Sequence, residues 1–368
     1  MTLIHKILAT YRNINTKRLL RRKAERINNF VERINSDPHI IDNSKRTLPS
    51  PLHNALLIYD PLDRFGDAIF VSGLLHHLNT SLPKLKIYIA TSEKYKEIYK
   101  NNNCTIVSPN KIENLSAQVD LAVDLGYIDH PGGEKFAILG KAALYLLSCS
   151  RMCSHLKCFT GMIDTSSSKH FGERMLQIAR TIEGIYGQPD TSLPKTIIRP
   201  YLPNSLKTNS QIIYLNADGG VAQRCLSTNQ VDAILSYLKK KQNTVVAYSS
   251  RPEIRDVFSK YNIKINNSSS FMESCKIIAE CSLIITPDTT IVHVASAFNI
   301  PVVAMYRNND REYYNYTMLE TWGPLSEIRE IIISPETLKR STPISRISNH
   351  TIINSIESIL TKLSTLDR

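Results

Sequence analysis

A polar segment between two apolar stretches has the residue types and spacing of an anion-binding site. Asp288, Thr289 and Thr290 fall between a predicted buried strand and a predicted helix. In open α/β sheets, ligands bind at the carboxyl ends of the strands, and the free N–H groups and dipole of a helix N-terminus favour a phosphate there. His293 lies one turn further along the helix and can face the same ligand. The segment therefore predicts that the chain handles a nucleotide or another phosphorylated molecule.

A second segment, residues 62–67, supplies a candidate proton acceptor. Gly66 permits a tight turn or the close approach of a ligand. Asp67 falls in the first turn of a predicted helix, where the dipole stabilises a carboxylate. No G-x-G-x-x-G motif is present, so a dinucleotide fingerprint is not supported. Asp67 is interpreted either as a helix cap or as a general base that faces a cleft between two domains.

A glycine-containing loop over residues 216–224 is the third candidate. Its N–H groups are suited to an anion, and Arg224 is suited to bidentate pairing with phosphate oxygens. Glu253 follows the next strand and is suited to accept hydrogen bonds from a ribose, although an ordinary first-turn glutamate fits the pattern equally well. His293 taken alone fits a packed core histidine, and its position near the polar segment is what favours a functional role.

Alternating strands and helices must position these residues. In the first half, apolar runs predict strands over residues 55–59, 85–90, 104–107 and 119–125, and helices over 65–78, 92–101, 136–150 and 170–186. In the second half they predict strands over 211–216, 244–248, 283–286, 302–306 and 328–333, and helices over 229–239, 252–260, 271–280, 291–298 and 351–363. This alternation is typical of parallel sheets covered on both faces. A proline-rich connection over residues 189–203 separates two Rossmann-like halves, and a cleft between domains is a preferred ligand site.

Composition narrows the class of protein. The 368 residues fit two domains, and a hydrophobic content of 42% supports sizeable cores. No apolar run approaches the roughly 20 residues that a membrane helix needs, and no secretory signal is recognisable. The seven cysteines are scattered and odd in number, which favours reduced thiols in a cytoplasmic protein.

The net charge of +12 is concentrated at the N-terminus, where the first 46 residues hold eleven Lys or Arg and four Asp or Glu. Apolar residues recur there at helical spacing. A basic amphipathic segment suits the anionic inner surface of a membrane. Nucleic acid is disfavoured as a partner because the basic run lies outside the predicted folded units and no nucleic-acid motif follows. The alternative is a solvated helix packed on its own protein.

Together these segments resemble glycosyltransferase family 9, the ADP-heptose:lipopolysaccharide heptosyltransferases and their relatives. The resemblance lies in Asp-Arg-Phe-Gly-Asp at residues 63–67, the glycine-containing loop, and Asp-Thr-Thr-Ile-Val-His-Val-Ala at residues 288–295, and it spans about residues 54–330. It implies the α/β glycosyltransferase type B architecture, in which two Rossmann-like domains with parallel sheets face a central cleft. We accordingly predict a basic N-terminal extension (1–50), an acceptor domain (51–200), a nucleotide-sugar donor domain (201–345) and a C-terminal helix (346–368) that packs back toward the first domain.

The resemblance also implies roles for single residues. The family's Gly-Asp pair carries its catalytic base, and its Asp-Thr-Gly-x-x-His binds the donor diphosphate. Thr290 stands at the glycine, and the family's Lys-x-Trp-Pro falls on residues 223–226, where the lysine, tryptophan and proline are all absent. We predict catalytic roles for Asp67, His293 and Arg224. We predict donor binding by Asp218, Gly219, Gln223, Glu253, Asp288, Thr289 and Thr290, and acceptor-side roles for Arg64 and Gly66.

The activity that the resemblance implies is inverting sugar transfer that needs no metal ion and no cofactor. ADP-heptose is the expected donor, and a lipopolysaccharide core or another surface glycan is the expected acceptor. The expected location is the cytoplasmic face of the inner membrane, with peripheral attachment through the basic segment. Two alternatives stay open: a hexose or N-acetylhexosamine transferase that uses a UDP-sugar, and a catalytically silent nucleotide-sugar-binding protein.

Overall fold

Two six-stranded parallel sheets form the framework of the protein in a computed structural model. The structure describes residues 21–22, 25–26, 28–60, 64–115, 117–126, 138–139, 141–149, 155–187, 197–203, 211–308, 317–336 and 342–366. The predicted loop at residues 127–135 and most of the basic run lie outside the described residues.

The first sheet has the strand order β3-β2-β1-β4-β5-β6. Its strands are β1 (Ala55–Tyr59), β2 (Lys86–Ala90), β3 (Thr105–Val107), β4 (Leu121–Asp124), β5 (Leu146–Ser148) and β6 (Gly161–Met162). All five pairings are parallel. The central strands β1 and β4 are buried along their whole length, as expected for apolar runs covered on both faces.

The second sheet has the order β12-β11-β10-β7-β8-β9. Its strands are β7 (Ile212–Asn216), β8 (Thr244–Tyr248), β9 (Lys264–Ile265), β10 (Leu283–Pro287), β11 (Val302–Tyr306) and β12 (Arg329–Ile333). Counted from its own first strand, this sheet has the same 3-2-1-4-5-6 order as the first. That order places a topological switch point between β7 and β10, and ligands of open α/β sheets bind at the carboxyl ends of the strands there.

The helices that follow β1 and whose bounds lie within the described residues alternate with the strands. They are α1 (Phe65–Ser81), α2 (Lys96–Tyr99), α3 (Phe171–Tyr186), α4 (Thr228–Lys240), α5 (Pro252–Lys260), α6 (Phe271–Ala279), α7 (Thr290–Phe298), α8 (Met318–Trp322) and α9 (Asn349–Leu366). The predicted α/β class with two parallel, Rossmann-like sheets is confirmed. Within the described ranges, no helix is both long enough and apolar enough to span a membrane.

Several predicted elements differ from the observed ones. The helix predicted over residues 136–150 is wrong at its end, because Leu146–Ser148 forms strand β5. The apolar run there was too short for periodicity to separate a helix from a buried strand. The helix predicted over residues 92–101 is a 3₁₀ turn, Glu93–Tyr95, followed by the single turn α2. The short elements β6, β9 and α8 were not predicted.

The chain divides into two compact units that do not follow chain order. One comprises Met1–Leu62, Lys84–Lys96 and Cys104–Thr165, and the other Asp63–Pro83, Glu97–Asn103 and Ser166–Arg368. Helix α1 thus belongs to the unit of the second sheet, although it follows β1 in sequence. Tyr201 N donates to Ile69 O of this helix (3.2 Å), and His77 Nε2 lies 2.9 Å from Glu183 Oε1 of α3. The domain boundaries at residues 50, 200 and 345 stay predictions.

The described part of the N-terminal segment is packed into the first unit. Residues 28–36 are helical, and Phe30, Ile34 and Ile40 are buried in the core beneath the first sheet. Asn43 is fully buried and donates from Nδ2 to the carbonyl oxygens of Ala142 and Cys158 (both 3.0 Å). This stretch is therefore part of a folded core, whereas Arg21, Arg22, Glu25 and Arg26 before it are exposed.

The C-terminal helix α9 buries its apolar face on the second sheet. Ile352, Ile356 and Ile359 are fully buried in the core of that unit, and Lys362 pairs with Glu330 of β12 (2.7 Å). The predicted packing of the C-terminal helix toward the first domain stays a prediction. The amphipathic spacing of α9 predicts that one face is buried, but it carries no information about which surface covers it.

Candidate active site

The turn between β10 and α7, residues 288–290, is built as an anion-binding helix start and is called the donor turn below. Thr289 is the N-cap residue, and its hydroxyl accepts a hydrogen bond from Ile291 N (3.2 Å). Val292 N donates to Thr289 O (3.0 Å), and the other N–H groups at such a helix start have no partner within the helix. Thr290 is the first helical residue, so the turn accommodates its side chain without a left-handed backbone.

Asp288 and Arg224 form an ion pair beside this turn. Asp288 N donates to Met305 O (2.9 Å), which fixes its backbone to β11. Arg224 Nη1 lies 3.0 Å from Asp288 Oδ2, and the two side chains are 21% and 7% exposed. Arg224 ends a short 3₁₀ turn, Ala222–Arg224. The pair brings the guanidinium next to the helix N-terminus, as the sequence predicted for a phosphate contact.

Asn216, the last residue of β7, joins the two strands at the switch point. Its Nδ2 lies within hydrogen-bonding distance of Asp218 O (2.9 Å), Thr286 Oγ1 (3.0 Å) and Thr289 Oγ1 (3.3 Å). The amide thus connects the carboxyl end of β7 to that of β10. The sequence analysis placed Asn216 in the glycine-containing loop but assigned it no role. Its signal is a polar side chain at the last position of a buried strand.

Asp218 forms hydrogen bonds that hold the glycine-containing loop against residues 249–251. Its carboxylate accepts hydrogen bonds from Ser249 Oγ (2.6 Å), from the backbone N and Oγ of Ser250, and from Arg251 Nε (2.9 Å). Burial alone would raise the pKa of Asp218, but these hydrogen bonds outweigh it and hold the pKa below its usual range. Four donors occupy the lone-pair sites of a carboxylate. Asp218 therefore supports the loop, and its predicted contact with the donor stays a prediction.

Gly219, Gln223 and Glu253 occupy three different environments. A Cβ on Gly219 would overlap the carbonyl oxygen of Arg224, so the loop requires glycine there. Gln223 is exposed on the 3₁₀ turn. Glu253 lies in the first turn of α5 with its side chain 56% exposed, 3.6 Å from Arg251 Nη1. Gly219 therefore packs against the backbone of Arg224, whereas the side chains of Gln223 and Glu253 are accessible to a ligand.

The start of α1 reaches the donor turn. Asp67 is in the first turn of α1 and is 9% exposed, and Arg64 before it is exposed. A Cβ built on Gly66 would lie 2.8 Å from Cδ2 and 3.4 Å from Nε2 of His293, and 3.7 Å from Thr290 Oγ1. The glycine is what permits this approach. The structure therefore brings the predicted base segment and the predicted phosphate-binding segment together within one compact unit.

His293 lies in an aromatic cluster formed with Phe70, His170, Phe171 and Trp322. Its ring centroid is 5.2 Å from that of Phe70 and 5.6 Å from that of Trp322. Desolvation, with a smaller repulsion from His170, lowers the pKa of His293 to about 3, so the imidazole is neutral at pH 7. Nδ1 is buried without a hydrogen-bond partner. The tautomer with the proton on Nε2, the nitrogen nearer Gly66, avoids burying an unpaired N–H group.

His170 is a residue of this cluster that the sequence analysis missed. It caps α3, since its Nδ1 accepts from Gly172 N (3.1 Å), while its Nε2 lies 3.0 Å from Gly323 O. These contacts place the proton on Nε2, and burial lowers the pKa of His170. The available signal was a capping pattern: Glu173, three residues later, completes a capping box around the His170 backbone N–H.

The chain resembles known glycosyltransferases over most of its length. The model of glycosyltransferase family 9 (heptosyltransferase) matches residues 226–343. The protein named "Putative lipopolysaccharide heptosyltransferase 4" of Escherichia coli (strain K12) is 22% identical over 344 residues, which cover 89% of this chain and 91% of that protein.

Solved structures share the fold. A family 9 glycosyltransferase from Veillonella parvula DSM 2008 superposes with a TM-score of 0.65 at 14% identity, covering 86% of this chain and all of that chain. The E. coli ADP-heptose lps heptosyltransferase II gives 0.64 at 15% identity, with 84% of this chain and 99% of that chain covered. The E. coli heptosyltransferase WaaC with ADP gives 0.62 at 11% identity, with 83% and 99% covered. These likenesses establish the type B glycosyltransferase architecture.

With a family model that matches residues 226–343, a curated relative along nearly the full length and the same fold in solved structures, the chain is similar to members of glycosyltransferase family 9, the heptosyltransferase family.

Proposed function

We propose that the protein transfers heptose from ADP-heptose to a lipopolysaccharide core or another surface glycan, with inversion at the anomeric carbon and without a metal ion. The observation that carries the proposal is the contact between the start of α1 and the donor turn. Gly66, next to Asp67, lies against His293 and Thr290. A carboxylate and an anion-binding helix N-terminus are therefore positioned by a single compact unit.

Asp67 is the proposed general base. Its carboxylate takes the proton from an acceptor hydroxyl as that oxygen forms a bond to the anomeric carbon of the donor. The bond from that carbon to the phosphate oxygen breaks on the opposite face, and ADP leaves with the electron pair. A positioned base contributes on the order of 10²- to 10⁴-fold to such a step.

The donor turn is the proposed site of the leaving diphosphate. The N–H groups at the start of α7 and the Arg224 guanidinium face a developing negative charge there. His293 is neutral and contributes a hydrogen bond from Nε2, not a full positive charge. Donors fixed in advance are effective because they need no reorganisation, and one such group contributes about 3 to 4 kcal/mol to transition-state stability.

The fluorescence of Trp322 offers a direct test of the proposed donor site. The chain has one tryptophan, and its ring stacks on Phe171 (4.2 Å) and lies next to His293. ADP should change this signal saturably, and UDP should do so only weakly. A protein that binds UDP more tightly than ADP would favour the hexose or N-acetylhexosamine alternative.

Turnover of Asp67→Asn tests the base. With ADP-heptose and a heptose-deficient lipopolysaccharide core as substrates, the variant should lose at least about 100-fold in kcat while its affinity for ADP stays unchanged. Wild-type turnover by this variant would remove Asp67 from the mechanism. The anomeric configuration of the product, read by NMR, tests inversion separately.

One observation favours the catalytically silent alternative. The Arg224 guanidinium is paired with Asp288 at 3.0 Å, so part of its charge is already neutralised before a diphosphate arrives. A silent protein would bind ADP-heptose and release no ADP with any acceptor. Release of ADP that depends on the core acceptor would exclude it.

We further propose that the exposed basic residues near the start of the first unit attach the protein to the anionic inner face of the cytoplasmic membrane. Arg21, Arg22 and Arg26 are exposed, and Arg21 pairs with Glu25 within the same helical turn (3.0 Å). Each basic residue near such a surface contributes about 1 kcal/mol to binding.

A further inference from the structure

The first turn of α1, which carries Asp67, begins without a side-chain cap. Arg64 is the N-cap residue in extended conformation, and its side chain makes no capping hydrogen bond. Ala68 N does donate to Arg64 O (3.2 Å). Uncapped helix ends fray, so the position of Asp67 depends on what packs against the residues before it.

A stacked aromatic pair packs against this helix start. The ring of Phe65, the first residue of α1, stacks on that of Phe271 with centroids 4.3 Å apart and an interplanar angle of 24°. Phe271 is the first residue of α6, on the second sheet's unit. Both side chains are half-buried.

Helix α6 is itself firmly held at the end that presents Phe271. Ser270 caps it by accepting from Glu273 N (3.2 Å). The carboxylate of Glu273 in turn accepts from Ser269 N (2.9 Å) and Ser269 Oγ (2.8 Å). Cys275 and Ile278, four and seven residues after Phe271 and thus on the same face of the helix, are buried in the protein interior. Phe271 is therefore a fixed support against which Phe65 rests.

We propose that Phe271 is a positioning residue for the catalytic base and acts through Phe65. The stack fixes Phe65, and the contact with His293 fixes Gly66. These two adjacent residues set the rotation and axial position of the turn on which Asp67 lies. The inference rests on the proposed function, since it assumes that Asp67 is the base. A base displaced by about 1 Å can lose on the order of 100-fold in rate, so loss of the stack should slow transfer without weakening donor binding.

A merely structural role predicts a different pattern. If the two rings only bury apolar surface, a leucine at position 271 should serve nearly as well as a tyrosine. If stacking matters, Phe271→Tyr should keep kcat within about threefold of wild type, and Phe271→Leu should lower it by about 10- to 100-fold. The affinity for ADP should change less than about twofold in both variants, because the proposal assigns Phe271 to the position of the base and not to donor binding. Met272→Ala, at the next position of the same helical turn, is the matched control and should resemble wild type.

A double-mutant cycle separates this proposal from the proposed function. In the Asp67→Asn background, Phe271→Leu should change the residual kcat less than about twofold, because a positioning residue has nothing left to position. An equal loss in both backgrounds would mean that Phe271 acts independently of Asp67 and would overturn the inference while leaving the base assignment intact. Wild-type turnover by Asp67→Asn alone would instead defeat the proposed function.

Hydrogen exchange supplies a readout that needs no substrate. Phe271→Leu should accelerate amide exchange in the peptide spanning residues 66–74 more than Met272→Ala does, and Phe271→Tyr should not. Unchanged exchange in that peptide for Phe271→Leu would overturn the proposal, whatever the activity of the variant.

Discussion

Gly66 and His293 lie so close together that a Cβ on the glycine would be 2.8 Å from Cδ2 of the imidazole. Neither the imidazole of His293 nor the backbone of Gly66 can move easily. The imidazole is enclosed by Phe70 and Trp322, and Gly66 belongs to a helix buried along most of its length. The contact therefore acts as a fixed distance between the turn that carries Asp67 and the helix that carries the donor turn.

Gly66→Ala tests this contact. The added methyl group must displace either the imidazole or the start of α1, which should destabilise the protein by about 1–3 kcal/mol and lower both kcat and ADP affinity, the latter by about tenfold. Urea unfolding and Trp322 fluorescence titration measure the two effects.

Gly184→Ala is the matched control for that substitution. Gly184 also lies within a helix, α3, but a Cβ there would meet nothing within 4 Å. Alanine should leave ADP binding unchanged and stabilise the helix by about 0.5–1 kcal/mol. Equal behaviour of the two alanine variants would mean that the Gly66–His293 contact has no consequence.

The Arg224–Asp288 pair allows stability to be separated from ligand binding. Arg224→Ala leaves Asp288, whose side chain is 7% exposed, without its cation. Removing one partner of a buried pair costs about 3–5 kcal/mol, and because Arg224 is 21% exposed, solvent screening should reduce the loss to about 1–3 kcal/mol.

A second substitution, Asp288→Asn, should restore most of that stability by removing the carboxylate charge that the Arg224 guanidinium no longer balances. It should not restore ADP affinity if the guanidinium binds the diphosphate. Chemical denaturation and ADP titration of the wild type, both single variants and the double variant decide the question. Recovery of ADP affinity in the double variant would contradict a phosphate role for Arg224.

These residues also show which parts of the candidate site can be predicted from the sequence. The carboxyl ends of β7 and β10 meet at the switch point because apolar runs and turns specify a doubly wound sheet, so Asp288, Thr289 and Arg224 could be brought together in advance. Asp67 could be placed at a helix start for the same reason. The sequence did not predict strand β5 within the predicted helix, because a three-residue apolar run is too short to show the period of either a strand or a helix.

Side-chain contacts between residues far apart in sequence could not be predicted from local sequence patterns. Phe65 and Phe271 are 206 positions apart, and each reads by itself as an ordinary apolar first-turn residue. The contacts of His170 could not be predicted either, because its neighbours Phe70 and His293 lie on other helices. Asp218 was predicted to bind the donor because it lies in the glycine-containing loop. Only the structure shows that the backbone and side chains of residues 249–251 converge on it.

Burial of His293 predicts a loss of stability at mildly acidic pH. Its pKa is about 3 in the folded protein against about 6.5 when unfolded. As pH falls below 6.5, the unfolded state binds a proton that the folded state does not, so the free energy of unfolding decreases until pH 3. At pH 5 this difference amounts to about 2 kcal/mol.

Urea unfolding at pH 7.5 and pH 5.0 measures that loss. Most carboxylates keep their charge over this interval, so histidines dominate the difference. His293→Gln removes the titrating group and should show a pH dependence smaller by about 2 kcal/mol than that of the wild type. The same slope in the two proteins would show that His293 does not remain neutral inside the aromatic cluster.

Membrane attachment is best tested by charge reversal, because a deletion of residues 1–46 would remove Phe30, Ile34 and Ile40 from the core of the first unit. Arg21→Glu, Arg22→Glu and Arg26→Glu together change only exposed positions. The triple variant should bind vesicles of phosphatidylethanolamine and phosphatidylglycerol at least about tenfold more weakly, since each reversed charge costs more than the roughly 1 kcal/mol that a basic residue contributes.

A control of equal net charge changes three exposed lysines on the second unit, by Lys239→Glu, Lys240→Glu and Lys264→Glu. Because attraction to an anionic surface falls off within a Debye length of about 8 Å at physiological salt, that control should bind nearly as well as the wild type. Equal weakening by the two triple variants would mean that net charge, and not the N-terminal segment, determines binding.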